Sequence, residues 1–332
     1  MNTSNKTVRA LGLLSGGLDS MLAGLILRDQ GIEVEFVTFE TPFFNAKKGR
    51  KASQMTGIPL TVKQIYPVYI KMLKNPPAGY GKHMNPCMDC HALMFRLAGE
   101  MMEAQGFDFL FSGEVVGQRP MSQNKSALRY VEKYSGFEGY ILRPLSARNL
   151  PQTMPEKEGL VNRELLLDIE GRSRKRQIQL ATKFGITEYP APAGGCLLTD
   201  QGYSNRLKDL FDHQQDCTEA ELHLLKYGRH FRLNPEAKLI VGRTQNDNER
   251  ILKYHNPEED IVMKVNKYAG PIAVIPHGAK KDAIFLAASI CTGYSKAPDF
   301  AAVEVRLTQP KGKEVIKVIG IPPEDVRKLL IT

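Results

Sequence analysis

The sequence lacks the features that mark several other classes of protein. It has no run of about 18 apolar residues, which excludes a membrane-spanning helix. The polar segment Met1–Arg9 has no apolar signal core, so we expect a cytoplasmic protein. Tryptophan is absent, and the five cysteines are an odd number in a chain without a secretion signal. A disulfide framework is therefore not expected, and metal binding or catalysis is the favoured role for cysteine.

Length and charge give two further expectations. A chain of 332 residues is too long for one ordinary core and predicts two domains. The 45 Lys and Arg residues against 36 Asp and Glu give a net charge of +9, which suits an anionic partner. The basic cluster Arg172, Arg174, Lys175 and Arg176 either binds RNA phosphates or faces solvent.

The first 115 residues alternate between strand-like and helix-like segments. This rhythm predicts an α/β fold with a doubly wound parallel sheet and helices on both faces. Ligands bind such sheets at the carboxyl ends of the strands, here after Leu14, Phe39 and Phe111. The predicted strands are Val8–Leu14, Val34–Phe39, Leu60–Ile65 and Phe109–Phe111, and the predicted helices are Asp19–Gln30, Phe44–Thr56 and Ala92–Gln105.

The rest of the chain divides at a segment rich in proline and glycine, residues 189–195. We expect an N-terminal domain at 1–200, a helical linker at 201–236 and a smaller α+β domain at 237–332. Further helices are predicted at 124–133 and 173–184 in the first domain, and at 204–213, 219–227 and 282–292 beyond it.

The segment Ser15-Gly16-Gly17-Leu18-Asp19-Ser20 joins the first strand to the first helix. Paired glycines let the backbone turn tightly and approach an anion, and the helix N-terminus favours negative charge. The two serines add hydroxyl donors. Asp19 has the wrong charge for a phosphate, so it either holds Mg²⁺ or caps the helix. The sequence therefore predicts a phosphate-binding loop that is not of the Walker type.

Cys87 and Cys90 form a C-x-x-C pair at the start of a helix, where the dipole is expected to lower thiol pKa values. Cys196 follows Gly194-Gly195, which would let it approach the same site. Three interpretations stay open: a [4Fe–4S] cluster with three cysteine ligands and one open iron, persulfide chemistry, and zinc with His91 as the fourth ligand. Cys217 and Cys291 are predicted to be ordinary buried residues.

These motifs resemble those of a known family. The SGGLDS loop is similar to that of the PP-loop ATP pyrophosphatases, which have an adenine nucleotide alpha-hydrolase-like fold. The C-x-x-C pair, the segment GEVVGQRPMSQ at 113–123 and ILRPLSA at 141–147 resemble the tRNA 4-thiouridine synthetases in the same order. NPCMDC is also similar to the NPC-x-x-C of the tRNA 2-thiouridylases.

The resemblance implies ATP-dependent thiolation of tRNA by a sulfurtransferase. ATP and Mg²⁺ would adenylate a uracil oxygen with release of pyrophosphate, and sulfur would then displace AMP. 4-Thiouridine is favoured over 2-thiouridine, the sulfur donor would be sulfide or a persulfide-carrying protein, and the enzyme would be a homodimer.

The resemblance also assigns roles to residues. The phosphate loop would bind the ATP phosphates, Thr38 and Phe39 would line the adenine pocket, and the three cysteines would deliver sulfur. Four residues would lie near the reacting centre, namely Gly113, Glu114, Gln118 and Ser122.

The C-terminal part resembles the NFACT RNA-binding domain. VGRTQNDNERI at 241–251, GPIAVIPHG at 270–278, AASICTGYSKA at 287–297 and the segment 303–326 follow that domain's order. The resemblance implies a basic tRNA-binding surface, with Lys280, Lys281 and Lys296 as candidates. Two rival functions are a PP-loop enzyme with a small substrate and an RNA-binding factor with a vestigial ATP site. The cysteines and the RNA-binding resemblance argue against the first, and the intact phosphate loop argues against the second.

Overall fold

The computed structural model describes residues 7–119, 121–190 and 196–332. The chain forms two compact units, residues 1–196 and 197–332. The predicted boundary segment 189–195 lies largely outside the described residues, as do Gly194 and Gly195. In the part that the structure describes, no helix has the length and apolar character needed to cross a membrane.

The first unit is built on a five-stranded sheet in the order β3-β2-β1-β4-β5, and all its pairings are parallel. Its strands are β1 (Arg9–Leu13), β2 (Glu33–Glu40), β3 (Leu60–Gln64), β4 (Phe109–Ser112) and β5 (Ile141–Leu142). Its helices are α1 (Leu18–Asp29), α2 (Lys47–Thr56), α3 (Tyr66–Lys74), α4 (Cys87–Gln105), α5 (Lys125–Ser135), α6 (Met154–Lys157) and α7 (Lys175–Lys183). This confirms the predicted doubly wound α/β fold.

The central strand β1 is flanked by β2 and β4 and is buried at its middle residues. Helix α1 packs on this sheet and also contacts α2 and α7. Because it is buried on more than one side, most of its residues are apolar. Leu18, Met21 and Leu22 are fully buried, and each such side chain contributes about 1.5–3 kcal/mol by leaving water. Helices α3 and α5 pack on α4.

The strand order reverses at β1, because β2 and β3 extend the sheet to one side and β4 and β5 extend it to the other. In doubly wound sheets the crevice at such a reversal, beyond the carboxyl ends of the strands, is where ligands bind. The loops that leave β1 and β4 are therefore the ones that form the candidate site.

The second unit contains a six-stranded sheet in the order β11-β10-β8-β9-β7-β6, with every pairing antiparallel. Its strands are β6 (Arg229–Asn234), β7 (Ala237–Val241), β8 (Ile261–Val265), β9 (Ile272–Ile275), β10 (Ala302–Gln309) and β11 (Gly312–Ile319). Its helices are α8 (Gln201–His213), α9 (Glu219–Leu224), α10 (Gln245–Tyr254) and α11 (Lys281–Gly293).

The two faces of this sheet are covered differently. Helix α11 lies on one face and forms the main core with residues such as Met263, Val305 and Ile316. On the opposite face, Leu224 of α9 and Ile251 of α10 pack on the sheet at β7 and β9, and Val262 near the start of β8 packs against the same cluster. On that face β8 is thus covered only near its start, and this cluster includes no residue of β10 or β11.

Several elements differ from the sequence-based expectations. Helix α4 begins at Cys87 rather than Ala92, so the C-x-x-C pair forms its first turn. The predicted linker 201–236 contains β6, which pairs with β7 in the second sheet. Helices α3 and α10 and strand β8 were not predicted. Helix α10 buries only Asp247 and Ile251 along its length, so its sequence shows almost no apolar period.

Candidate active site

The phosphate loop runs from the end of β1 into α1. Gly16 has a φ of 75°, and a Cβ there would lie 2.4 Å from the backbone carbon of Lys48, so only glycine fits. Gly17 is the N-cap of α1, and no side chain caps the helix. The amide groups of its first turn therefore face the crevice without a side-chain acceptor, which is the arrangement that binds phosphate.

The two serines of the loop stabilise its turn. The Ser15 and Ser20 hydroxyl oxygens lie 3.3 Å apart, and Ser20 Oγ donates to the Gly17 carbonyl at 2.8 Å. At the end of β2, Thr38 Oγ1 donates to the Leu14 carbonyl at 2.6 Å. Both Thr38 and Phe39 are buried. Thr38 thus ties the ends of β1 and β2 together, and the adenine contact of Thr38 and Phe39 stays a prediction.

The loop after β4 meets the start of α1. A Cβ on Gly113 would lie 2.3 Å from the Ser20 amide nitrogen and 2.4 Å from the Asp19 carbonyl carbon. Such a contact is impossible for any residue with a side chain, so glycine lets the β4 exit pack directly on the phosphate loop. The structure therefore brings together two motifs that the sequence separates by nearly a hundred residues.

Asp19 occupies the centre of this crevice. Its Oδ2 accepts a hydrogen bond from Gln118 Nε2 at 3.2 Å. Its buried Oδ1 has no partner at ordinary hydrogen-bond distance among the described residues, although the Gln177 amide is close enough to lower the pKa of the carboxyl. Burial raises the pKa of the Asp19 carboxyl, against the opposing effects of Gln118 and of Arg174. A buried carboxylate oxygen with an open position fits a hard cation such as Mg²⁺. It does not cap α1, which has no side-chain cap.

The basic cluster at 172–176 is divided by the fold. Arg174 is the member that influences Asp19, and its guanidinium lies 5.9 Å from the Tyr189 ring centroid. Arg176 forms an ion pair with Asp168 at 2.7 Å, while Arg172 and Lys175 are exposed. Gln177 is fully buried near Asp19, and no sequence pattern indicates its place there. The RNA-binding role of the cluster stays a prediction, and the structure shows only that Arg174 is close enough to Asp19 to lower the pKa of its carboxyl.

A cavity of about 520 Å³ opens beside Gly16. Lys48 and Lys51 of α2 line one side of it, and Tyr189 lines the other. Glu188 also lines the cavity and forms an ion pair with Lys51 at 2.5 Å, so Lys48 is the lining cation that this pair does not neutralise.

A buried ion network lies below the β4 loop. Arg143 Nε donates to Glu114 Oε2 at 3.0 Å and also pairs with Glu132, while His91 Nδ1 lies 2.8 Å from Glu114 Oε1. Burial alone would raise the pKa of Glu114, but Arg143 and His91 lower it to about 2. Both Glu114 oxygens are thus occupied within the protein. Its geometry favours positioning of His91, beside the cysteines, over a contact with ATP.

The three cysteines lie near one another. Cys87 accepts a hydrogen bond from Asn85 Nδ2 at 3.3 Å, and the Tyr69 hydroxyl lies 3.5 Å from Cys90 Sγ. Desolvation raises the pKa of Cys90 to about 12, opposed by the Tyr69 hydrogen bond, and the charges of Cys196 and Cys87 raise it further. This effect shows that the three thiols share one neighbourhood.

Two expectations about these thiols need correction or limits. The helix N-terminus does not make Cys90 a thiolate, because burial outweighs the dipole. Among the described residues, no three His, Cys, Asp or Glu side chains are arranged to hold a metal ion as they stand. Three neighbouring thiols are the donors that an iron–sulfur cluster requires, but the described side chains are not arranged around one metal position. His91 is engaged with Glu114, which leaves zinc the least supported interpretation.

Sequence reasoning missed two residues of this site. Tyr69, on the unpredicted helix α3, is fully buried, and its pKa is raised well above the ordinary value by desolvation and by the three cysteines. Arg143 belongs to the LRPL segment, and its isolation among apolar residues was the available signal, since a charge in a buried strand requires partners. Ser122 is buried in the loop before α5, and Gln118 contacts Asp19 as described.

Comparisons with known proteins agree with these observations. Residues 5–150 match the family model described as thiamine biosynthesis protein (ThiI), and residues 228–330 match the NFACT protein RNA binding domain. A probable tRNA sulfurtransferase of Ureaplasma parvum is 29% identical over 146 residues, which cover 42% of this chain and 37% of the relative. A tRNA-specific 2-thiouridylase, MnmA 1 of Syntrophus aciditrophicus, is 24% identical over 221 residues, covering 60% and 55%.

Among solved structures, a 4-thiouridine synthetase in complex with RNA and bound ATP shares 22% identity with a TM-score of 0.38, covering 58% of this chain and 46% of that one. The chain spans only 37% of the length of the first sulfurtransferase relatives. Its resemblance to two families is nevertheless confirmed in separate segments. The N-terminal unit is similar to PP-loop tRNA sulfurtransferases, and the C-terminal unit is similar to the NFACT RNA-binding domain.

Proposed function

We propose that this protein is an ATP-dependent tRNA sulfurtransferase that converts a uridine to a thiouridine. The observation that carries the proposal is the grouping of Cys87, Cys90 and Cys196 in the unit that also holds the phosphate loop. A PP-loop enzyme that forms amides has no need of three neighbouring thiols. The similarity to probable tRNA sulfurtransferases and the match to the RNA-binding model over 228–330 support tRNA as the substrate.

The phosphate loop and its neighbours would bind and orient ATP. The first-turn amides of α1 and the Ser15 hydroxyl hold the phosphates, and Arg174 lies near enough to Asp19 to offset charge there. Mg²⁺ held by Asp19 would neutralise charge on the phosphates. In the first step the uracil oxygen bonds to the α-phosphorus, pyrophosphate leaves, and the adjacent ring N–H loses its proton. Preorganised donors and positioning are the catalytic terms.

In the second step a sulfur nucleophile from the cysteine site adds to the activated ring carbon. The carbon–oxygen bond to phosphate breaks, AMP leaves with the electron pair, and the ring nitrogen regains a proton. A [4Fe–4S] cluster with three cysteine ligands would supply an open iron that binds sulfide. A persulfide on one cysteine, resolved by another as a disulfide, is the other route. Sulfide or a persulfide-carrying protein is the proposed donor.

We propose 4-thiouridine over 2-thiouridine as the product, because most of the similar relatives are probable tRNA sulfurtransferases rather than 2-thiouridylases. Because some relatives are 2-thiouridylases, 2-thiouridine is the alternative product, and nucleoside analysis of the tRNA distinguishes the two. We also propose that the protein is a homodimer, on the basis of its resemblance to the tRNA sulfurtransferases.

The two half-reactions can be tested separately. With ATP and bulk tRNA, the intact protein should release pyrophosphate in amounts that depend on tRNA, and Asp19→Ala should abolish this release. Cys196→Ser should keep pyrophosphate release but form no thiolated product, whereas Cys217→Ser, outside the site, should behave as the parent. Pyrophosphate release that is independent of tRNA, or that needs a small amine acceptor, would replace the proposal with a small-substrate PP-loop enzyme.

The source of sulfur has its own measurement. Protein purified without oxygen should contain iron and acid-labile sulfide that disappear in Cys87→Ala if the cluster interpretation holds. Absence of both iron and zinc would leave the persulfide route, which predicts a sulfane sulfur on one of the cysteines.

A further inference from the structure

The second unit exposes one half of a sheet face. Strands β8, β10 and β11 are covered by α11 on one side, while on the other side the cluster formed with α9 and α10 includes residues of β7 and β9 and, on β8, Val262 alone. The residues on the uncovered side follow from the register, because paired residues share a face. Arg306 pairs with Lys264 on β8 and with Val315 on β11.

The uncovered side is basic. Thr308 pairs with Lys313, and Glu304 pairs with Lys317, so these residues share the face of Arg306. We call the four cations Lys264, Arg306, Lys313 and Lys317 the open basic face. All four are exposed, and no ion pair of theirs occurs within the described residues. Glu304 is the one acidic residue on these three strands that points to the same side.

The arrangement of these charges is unfavourable for the sheet itself. Lys264 and Arg306 lie directly opposite each other on neighbouring strands, and like charges in that position destabilise a sheet. Val315 and Ile319 on the same side are also half exposed, at 53% and 52%. A flat surface that combines repelling cations with exposed apolar groups gains stability when an anionic partner covers it.

An exposed aromatic side chain lies at one end of this face. Phe300 is 86% exposed and has a φ of 59°. It precedes β10 by two residues, at the end of the hairpin where Ala302 pairs with Ile319. Aromatic rings next to basic surfaces commonly stack on unpaired nucleic-acid bases.

We propose that the open basic face binds the phosphate backbone of RNA and that Phe300 stacks on an unpaired base beside it. The spacing of the cations across three strands, about 5 Å from strand to strand, suits the row of phosphates on a folded RNA. This inference rests on the proposed function, since it assigns the surface with which the same chain holds its tRNA.

The open basic face does not include the lysines that the sequence pattern suggests. Lys280 forms an ion pair with Glu236 at 2.7 Å, and Lys281 lies 6.0 Å from the Phe285 ring centroid. Lys281 begins α11, the helix that covers the opposite side of the sheet.

The experiment measures equilibrium binding of the full chain to bulk tRNA, without ATP, over a series of salt concentrations. The face variant carries Lys264→Gln, Arg306→Gln and Lys317→Gln. The matched control carries Lys208→Gln, Arg327→Gln and Lys328→Gln, which remove the same charge from exposed positions elsewhere in the unit. A third variant, Phe300→Ala, tests the stacking interaction, and circular dichroism establishes that each variant is folded.

The face variant should bind tRNA about tenfold or more weakly. The magnitude of its salt slope should fall by about 0.9 for each phosphate that the protein no longer neutralises. The control should keep the parent's affinity and slope. Phe300→Ala should weaken binding about tenfold with the slope unchanged, since stacking releases no counterions.

An unchanged slope and affinity in the folded face variant would overturn the proposal. So would displacement of tRNA by polyglutamate as efficient as displacement by unlabelled tRNA, because the partner would then be an acidic protein. Asp19→Ala, which lacks the proposed ATP function, should still bind tRNA normally. Failure of thiolation with intact, face-dependent RNA binding would therefore refute the proposed reaction and leave the RNA-binding face standing.

Discussion

The buried ion network around Arg143 makes the most quantitative prediction about stability. Arg143 is 1% exposed and Glu114 is 7% exposed in their side chains, so neither charge is solvated. The lowering of the Glu114 pKa from its ordinary value of 4.5 to about 2 corresponds to about 3 kcal/mol at 1.36 kcal/mol per pKa unit. Replacing Arg143→Met leaves a buried carboxylate without its main partner, which typically costs about 3–5 kcal/mol.

The pH dependence has a definite sign. Because the pKa of Glu114 is lower in the folded protein than in the unfolded chain, its stabilisation is fully present above pH about 4.5 and is lost as the pH falls through about 2. The difference in unfolding free energy between the parent and Arg143→Met should therefore be largest near neutral pH and shrink across that window. Adding Glu114→Gln to Arg143→Met should recover part of the stability, since it removes the unpaired charge.

The assay must report on the first unit alone, because the chain has two compact units and need not unfold in one step. Pulse alkylation of the partly buried Cys90 thiol in increasing urea, read by peptide mass, provides such a local signal. Arg96→Met is the matched control, since Arg96 forms only an exposed pair with Glu100 on the same helix and should cost less than about 1 kcal/mol. An Arg143→Met variant no less stable than Arg96→Met would show that the network does not stabilise the unit.

Three further predictions concern single residues. Gly113→Ala should abolish ATP binding measured by calorimetry, because its Cβ would overlap the backbone of α1, and undiminished binding would contradict that close contact. Tyr69→Phe should move the pH profile of Cys90 alkylation to higher pH, since the Tyr69 hydrogen bond lowers that pKa, and an unmoved profile would contradict the assigned hydrogen bond. His277→Gln should destabilise the second unit by at most about 1 kcal/mol, given its exposure. The pKa of His277 is raised to about 9. Thermal melts should therefore show the full stability difference between the parent and His277→Gln below pH 6.5, the ordinary pKa of histidine, and should show that the difference disappears as the pH rises through 9.

Local patterns predicted much of the first unit because its strands are short, apolar and bounded by turn residues. The segment RALGL became β1, and Asn124 caps α5 by accepting from the Ala127 amide at 2.8 Å. The phosphate loop was predictable because its glycines and serines act within six consecutive residues. Such patterns involve only residues that are close together in the sequence, so they can be recognised without knowing the fold.

Other parts of the site depend on contacts between distant segments and could not be predicted. The burial that raises the Cys90 pKa comes from α3 and from residues far along the chain, so the helix dipole alone indicated the wrong sign. Tyr69 lies in a segment with a proline near its start and aromatic residues, a composition that weakly favours helix. The pairing of Arg143 with Glu114 joins positions 29 residues apart, and nothing in either local sequence specifies it.

Thiolation of tRNA at the expense of ATP is the reaction that we propose for this chain, and nucleoside analysis of the product is its decisive assay. Unmodified tRNA is incubated without oxygen with ATP, Mg²⁺ and the intact protein, with sulfide as the sulfur donor in one reaction and a persulfide donor in a parallel one. The tRNA is then digested and analysed by mass spectrometry. We expect 4-thiouridine that requires ATP and vanishes with Asp19→Ala and with Cys196→Ser, but not with Cys217→Ser. Unmodified uridine throughout, from protein that binds both ATP and tRNA and that carries its sulfur site intact, would contradict the proposed reaction.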